Sequence, residues 1–265
     1  MTLVNAGDVT LNTRVDGPDG APWIVLSNSL GASLEMWDPQ IATLTQRYRV
    51  LRYDTRGHGN SAVPPGPYSF DQLTGDVTSL MDAMGIATAS FMGLSLGGMT
   101  GLGLALAQPD RFERIICADA RADAPEGFRA MWDDRIAKMK AGGLEAIADM
   151  TLATWFTEDW RAENPDYAGT IRTMVVATPQ DGYIACCEAL KTLDFLRHLD
   201  RITVPTLFVG GSDDKGAAPD VMQAMADATP GARYIEVPSA AHVANINASE
   251  AFNAAIKPFL GIGSE

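Results

Sequence analysis

Ser95 stands in the run Gly93-Leu94-Ser95-Leu96-Gly97 and matches the pattern G-x-S-x-G. In that pattern a sharp strand-to-helix turn holds the serine hydroxyl out where a substrate can meet it. A serine hydroxyl is a poor nucleophile until a base takes its proton and a third group orients that base. The chain has three histidines, His58, His198 and His242. His242, in VPSAAHVAN, follows the last strand-like run, where a loop can deliver an imidazole to the serine turn. His58 in RGHGNS and His198 in FLRHLD read as structural residues. In this chain order the acid falls between serine and histidine. TLFVGGSDDKG supplies two adjacent candidates, Asp213 and Asp214, of which one orients the base and the other is a loop charge.

The flanking segments have the periodicity that this chemistry demands. ASFMGL before Ser95 reads as a strand and LGGMTGLGLALAQ after it as a helix of small apolar residues, so the Leu96 N–H and the helix N-terminus face a developing oxyanion. Further short apolar runs, WIVLSNS (23–29), YRVLRYD (48–54), RIICADA (114–120), TLFVGG (206–211) and ARYIEVP (232–238), are separated by helix-length stretches. This predicts a mostly parallel sheet covered by helices on both faces, with residues 2–15 as an antiparallel N-terminal hairpin. From 122 to 199 the strand signals stop and helical pattern takes over, as in EGFRAMWDDRIAKMKAGG and PQDGYIACCEALKTLDFL. The expected organisation is an α/β core formed by 1–121 and 200–265 and a helical lid over 122–199, with Trp132, Trp155 and Phe156 in the lid.

Composition narrows the function. The 265 residues include 20 Lys and Arg against 33 Asp and Glu, a net charge of -13, which argues against nucleic acid and anionic membrane as partners. A small anionic substrate remains compatible, because a local arginine acts within a Debye length of about 8 Å. The Gly-rich turn lacks G-x-G-x-x-G, so no nicotinamide cofactor is expected. Cys117, Cys186 and Cys187 have neither zinc spacing nor a disulfide framework, and the first residues do not read as a signal peptide. A cytoplasmic setting, no metal and no organic cofactor are the expectations; oligomeric state is open.

Ser95, His242 and an Asp213/Asp214 acid on this scaffold resemble the α/β-hydrolase family across nearly the whole chain. The resemblance implies Asp214 as the acid, because the family's acid usually lies three residues after the strand-ending glycine, here Gly211. Ala217-Ala218-Pro219 departs from the Thr-Pro often found beyond it. Within the family, LSNSLGASLEMWDPQ (26–40) is similar to the 3-oxoadipate enol-lactonases, as are RYDTRGHGNS (52–61), MWDDR (131–135), TWFTEDW (154–160), DGYIACCEAL (181–190) and AAHVANIN (240–247).

That resemblance implies Leu30 N–H as a second oxyanion donor beside Leu96 N–H. It also implies a serine hydrolase that opens the ring of a carboxylate-bearing enol-lactone through an acyl-enzyme. Such a carboxylate needs a cation once water is excluded. Arg135 is the candidate, between Trp132 and Trp155 as apolar walls, unless it pairs with Asp133 or Asp134 on its own helix. The competing readings are a carboxylesterase or carbon–carbon bond hydrolase of the same fold, or a receptor that keeps the pocket without turnover.

Overall fold

The computed structural model describes residues 1–263. Eight strands form one sheet: β1 (Thr2–Ala6), β2 (Val9–Asp16), β3 (Trp23–Ser27), β4 (Arg49–Tyr53), β5 (Ala89–Leu94), β6 (Phe112–Ala118), β7 (Thr206–Gly211) and β8 (Arg233–Val237). Their order is β1-β2-β4-β3-β5-β6-β7-β8. β1 pairs antiparallel with β2, and β2 antiparallel with β4; every other pairing is parallel. The expected hairpin and all six expected strands are present. β5 and β7 are buried at every residue, which is why they read as unbroken apolar runs, whereas the edge strand β1 is largely exposed.

The helices of the core are α1 (Asp38–Leu44), α2 (Phe70–Ala83), α3 (Leu96–Ala107), α9 (Pro219–Ala228), α10 (Ala244–Asn247) and α11 (Ser249–Leu260). A capping box starts α2: Gln72 N–H donates to Ser69 Oγ and Ser69 N–H to Gln72 Oε1. α3 is buried on nearly all sides, so small residues line it and the sheet and α2 approach closely.

Between β6 and β7 the chain makes five helices, α4 (Glu126–Gly142), α5 (Glu145–Trp155), α6 (Glu158–Glu163), α7 (Pro165–Val176) and α8 (Gln180–Lys191). The two roots of this insertion meet: Asp123 and Asp194 form an isolated antiparallel bridge, and the Phe195 and Leu196 N–H groups both donate to Ala122 O. Residues 264 and 265, the end of the expected core segment, lie outside the described residues. No described helix is long and apolar enough to cross a membrane.

Candidate active site

The turn between β5 and α3 holds Ser95 at φ 56 and ψ -114, a left-handed conformation that costs a non-glycine residue about 1–3 kcal/mol. The flanking glycines make the turn sterically accessible. A Cβ on Gly93 would collide with the Gly97 carbonyl, and one on Gly97 with the carbonyl of Ser27 at the end of β3. Ser95 N–H donates to Ala118 O at 2.8 Å and Gly97 N–H to Asn28 O at 3.0 Å, so the turn is bonded to the ends of both neighbouring strands.

His242 comes from the loop after β8 and Asp214 from the loop after β7. His242 Nε2 lies 2.9 Å from Ser95 Oγ, and His242 Nδ1 lies 2.8 Å from Asp214 Oδ2. A carboxylate beside Nδ1 selects the tautomer with the proton on Nδ1, which leaves Nε2 to accept from the serine hydroxyl. Asp214 Oδ1 accepts from the N–H groups of Gly216 (2.7 Å) and Ala217 (3.1 Å), so its other oxygen is left for the imidazole. Of the two aspartates Asp214 is the one that reaches His242; Asp213 is exposed and accepts from Ser212 Oγ.

Electrostatics follow from the same contacts. Burial alone would depress the His242 pKa, but the Asp214 carboxylate outweighs it and raises the ring above its ordinary value. Burial likewise opposes charge on Asp214, and His242 and the two backbone donors more than offset that, holding its pKa below the usual carboxylate range. The other histidines stand elsewhere. His58 is fully buried beside Tyr183, its pKa lowered to about 4 by desolvation, and His198 lines a separate cavity together with residues of α2 and α3.

Leu30, in the loop after β3, lines the cavity above Ser95. Among the described residues neither Leu30 N–H nor Leu96 N–H donates to a protein acceptor. The loop that carries Leu30 is braced by Asn28, whose Nδ2 donates to Tyr53 O (2.9 Å) and whose Oδ1 accepts from Trp37 Nε1 (3.0 Å). One of these free N–H groups is on the loop after β3 and the other at the first residue of α3, and the Gly97–Asn28 bond joins the two segments.

The cavity has a volume of about 290 Å³ and is walled by the insertion. Trp132, Arg135 and Trp155 all line it, together with Phe128, Met131 and Tyr183. Arg135 is buried, donates to Thr151 Oγ1 at 2.6 Å and lies 5.3 Å from the Trp132 ring centroid. It makes no ion pair among the described residues: Asp134 is taken by Lys138 (2.7 Å) and Asp133 by Lys191 (2.5 Å). Both Arg135 Nε and Trp132 Nε1 are buried donors without a partner. The helix-surface pairing left open for Arg135 is therefore not what the chain forms. An unpaired buried guanidinium costs several kcal/mol, and an incoming anion relieves that cost.

Sequence reasoning overlooked Asp119. It is fully buried after β6 at φ 44, and its carboxylate accepts from Gly211 N–H (2.8 Å) and Ala244 N–H (3.3 Å), tying the acid loop to the histidine loop. Burial, and then the neighbouring Asp214 charge, raise its pKa well above the ordinary value. Nothing but its position at a strand's C-terminal end could have signalled it. Tyr183, which also lines the cavity, was visible as part of a helical pattern and of the DGYIACCEAL motif, but neither assigned it to the site.

Comparison with known proteins agrees with this architecture. The profile of the alpha/beta hydrolase fold matches residues 22–249. The chain is 36% identical over 259 residues to 3-oxoadipate enol-lactonase 2 of Acinetobacter baylyi, covering 96% of this chain and 94% of that one. It is 31% identical over 245 residues to a Caulobacter segnis protein whose name carries a provisional assignment as the carbamate hydrolase RutD, covering 91% and 92%. Among solved structures, the enol-lactonase from Burkholderia xenovorans superposes with a TM-score of 0.94 at 43% identity, covering 98% of this chain and all of that one. The extent of the family match, with the sheet order and the strained serine turn, shows that the chain belongs to the alpha/beta hydrolase fold family.

Proposed function

We propose that the protein is a serine hydrolase that opens the ring of a small enol-lactone bearing a free carboxylate, of which 3-oxoadipate enol-lactone is the specific candidate. The observation that carries this reading is that one cavity of about 290 Å³ holds both Ser95 and the unpaired guanidinium of Arg135. That volume is at the low end of small-molecule sites, about 300–1,000 Å³, and suits a single ring with a short acid arm. The identity to proteins named as enol-lactonases supports the same substrate class.

In this mechanism Ser95 Oγ attacks the lactone carbonyl carbon while its proton passes to His242 Nε2. The oxyanion accepts from the N–H groups of Leu30 and Leu96, each worth about 2.7–4 kcal/mol in the transition state. Collapse breaks the ring C–O bond; the leaving enolate takes the proton from His242 and tautomerises to the ketone, still tethered in the acyl-enzyme. Water, deprotonated by His242, then attacks the acyl carbon and frees Ser95. Asp214 keeps the imidazole in its working tautomer throughout. Arg135 holds the substrate carboxylate, with Trp132 and Trp155 as apolar walls, and the helical insertion serves as the lid that excludes water. No step calls for a metal or an organic cofactor.

The test follows loss of the enol-lactone ultraviolet absorbance with the purified protein and with Ser95→Ala, beside a p-nitrophenyl ester and a carbamate. Lactone turnover that disappears in Ser95→Ala is the expected result. Efficient cleavage of the ester or the carbamate with the lactone untouched would keep the hydrolase and reject the lactonase. Binding of lactone without turnover would make the protein a receptor.

A further inference from the structure

His242 is held by its neighbours in a way that the chemistry of the three reacting residues does not require. Its preceding residue, Ala241, donates its N–H to Asn247 Oδ1 at 2.9 Å, and the same oxygen accepts from Thr157 N–H at 3.2 Å. Its following residue, Val243, donates its N–H to Trp155 O at 3.1 Å. Trp155 and Thr157 belong to the lid, at the end of α5 and the start of α6. The N–H groups of the residues on both sides of His242 are thus bonded to the lid segment 155–157, one directly and one through the carboxamide of Asn247. The indole of Trp155 lines the cavity, so the segment that grips the histidine loop is also a wall of the substrate pocket.

Other anchors of this loop lead into the core. Asn245 Nδ2 donates to Met36 O (2.9 Å), and Ala244 N–H donates to Asp119. Among the described residues, Asn247 alone carries a side-chain acceptor shared between lid and loop. It is 8% exposed, so its bonds do not compete freely with water.

We propose that Asn247 is a positioning residue that couples the lid to the base, holding His242 Nε2 in line with Ser95 Oγ through the shared acceptor. This inference rests on the reading of Ser95 and His242 as nucleophile and base. Substrate packed against Trp155 then steadies the same backbone that aims the imidazole, so a filled pocket has a better aligned base than an empty one. Misalignment of a reacting group by about 1 Å can cost about a hundredfold, so a bond at this point has leverage on rate.

Four variants test it: Asn247→Ala, which deletes the acceptor; Asn247→Asp, whose carboxylate oxygen accepts from both N–H groups; Thr157→Pro, which deletes the lid donor and with it the Oγ1 cap of α6; and Thr157→Ala, which loses that cap alone. Thr157 sits at φ -62 and Phe156 before it is extended at φ -131, so proline fits the backbone there. Lactone kcat and KM are measured beside the rate at which a fluorophosphonate probe labels Ser95, which reads activation of the serine independently of substrate. Asn247→Ala should lower kcat and the labelling rate together by about tenfold or more, with KM within about twofold, and Asn247→Asp should restore both to within about threefold. Thr157→Pro should lower the labelling rate in the same direction, and by more than Thr157→Ala does. Parental labelling in Asn247→Ala, or a loss in Asn247→Asp as large as in Asn247→Ala, would overturn the proposal. If Asn247→Ala does not fold, parental labelling in Thr157→Pro overturns it. Failure of the unmodified protein to label at Ser95 would reject the hydrolase reading instead.

Discussion

His242 Nε2 and Ser95 Oγ lie 2.9 Å apart across 147 residues of chain. The contact joins the turn after β5 to the loop after β8, and Asp214 closes the line from the loop after β7. All three side chains emerge from C-terminal ends of parallel strands, which is where such a sheet exposes its loops to one crevice.

The pH dependence follows from this line. His242 accepts a proton only when neutral, and Asp214 raises its pKa above the ordinary value. Activity is therefore lost as pH falls, and the acid limb of kcat/KM should have its midpoint above about 6.5. Asp214→Asn removes the charge that raises the pKa and presents the wrong tautomer. Its limb should move to lower pH and its kcat fall by up to about 10⁴-fold, the scale known for other Ser-His-Asp enzymes. A pH–rate profile of both proteins checks the sign.

Arg135→Met removes the unpaired guanidinium while keeping an apolar side chain of similar length. KM for a carboxylate-bearing lactone should rise by about 30-fold or more, with an uncharged p-nitrophenyl ester little affected. The variant should be no less stable in urea than its parent, because burying a charge without an ion-pair partner costs more than its bond to Thr151 Oγ1 returns. An equal loss on both substrates would mean that Arg135 shapes the pocket and does not hold the anion.

Asp119→Asn tests the bond between the acid and histidine loops. Both oxygens of Asp119 accept backbone N–H groups, and an amide can offer only one oxygen, so either Gly211 or Ala244 loses its acceptor. Leaving one buried donor unpaired should cost about 1–3 kcal/mol in urea unfolding. Asp213→Ala, at an exposed position one residue from the acid, should change stability by less than about 0.5 kcal/mol.

His58 should make the protein acid-sensitive. Its pKa is about 4 in the folded chain and about 6.5 in an unfolded one, so between these values the unfolded state binds more protons. Stability is unaffected above about pH 6.5 and falls by about 3 kcal/mol as the pH drops to 4. Chemical denaturation at a series of pH values, with His58→Gln as a non-titrating comparison, measures the contribution. Parallel curves for the two proteins would contradict it.

The serine turn was legible because its requirements are local. Gly93 and Gly97 are needed where a Cβ would strike backbone, and the strand and helix around Ser95 follow from residue periodicity alone. The same holds for the parallel strands, whose burial on both faces demands unbroken apolar runs. His242 and the Asp213/Asp214 pair could be named from their places after strands, but residue type could not choose between adjacent aspartates. Tertiary structure separated them by turning Asp214 toward His242 and leaving Asp213 at the surface.

Arg135, Asp119 and Asn247 lie at the other extreme. Whether an arginine on an amphipathic helix pairs with its own acids or faces a cavity depends on where Lys138 and Lys191 fall, and Lys191 is on another helix. Asp119 accepts from backbone N–H groups 92 and 125 residues away, and Asn247 joins one donor 6 residues away to another 90 away; such donors leave no trace in residue type. Sequence by itself determined the strands and helices and the serine turn, because periodicity and glycine sterics act over a few residues. Only the folded chain decided which buried polar groups find partners, because that depends on contacts between segments far apart in sequence.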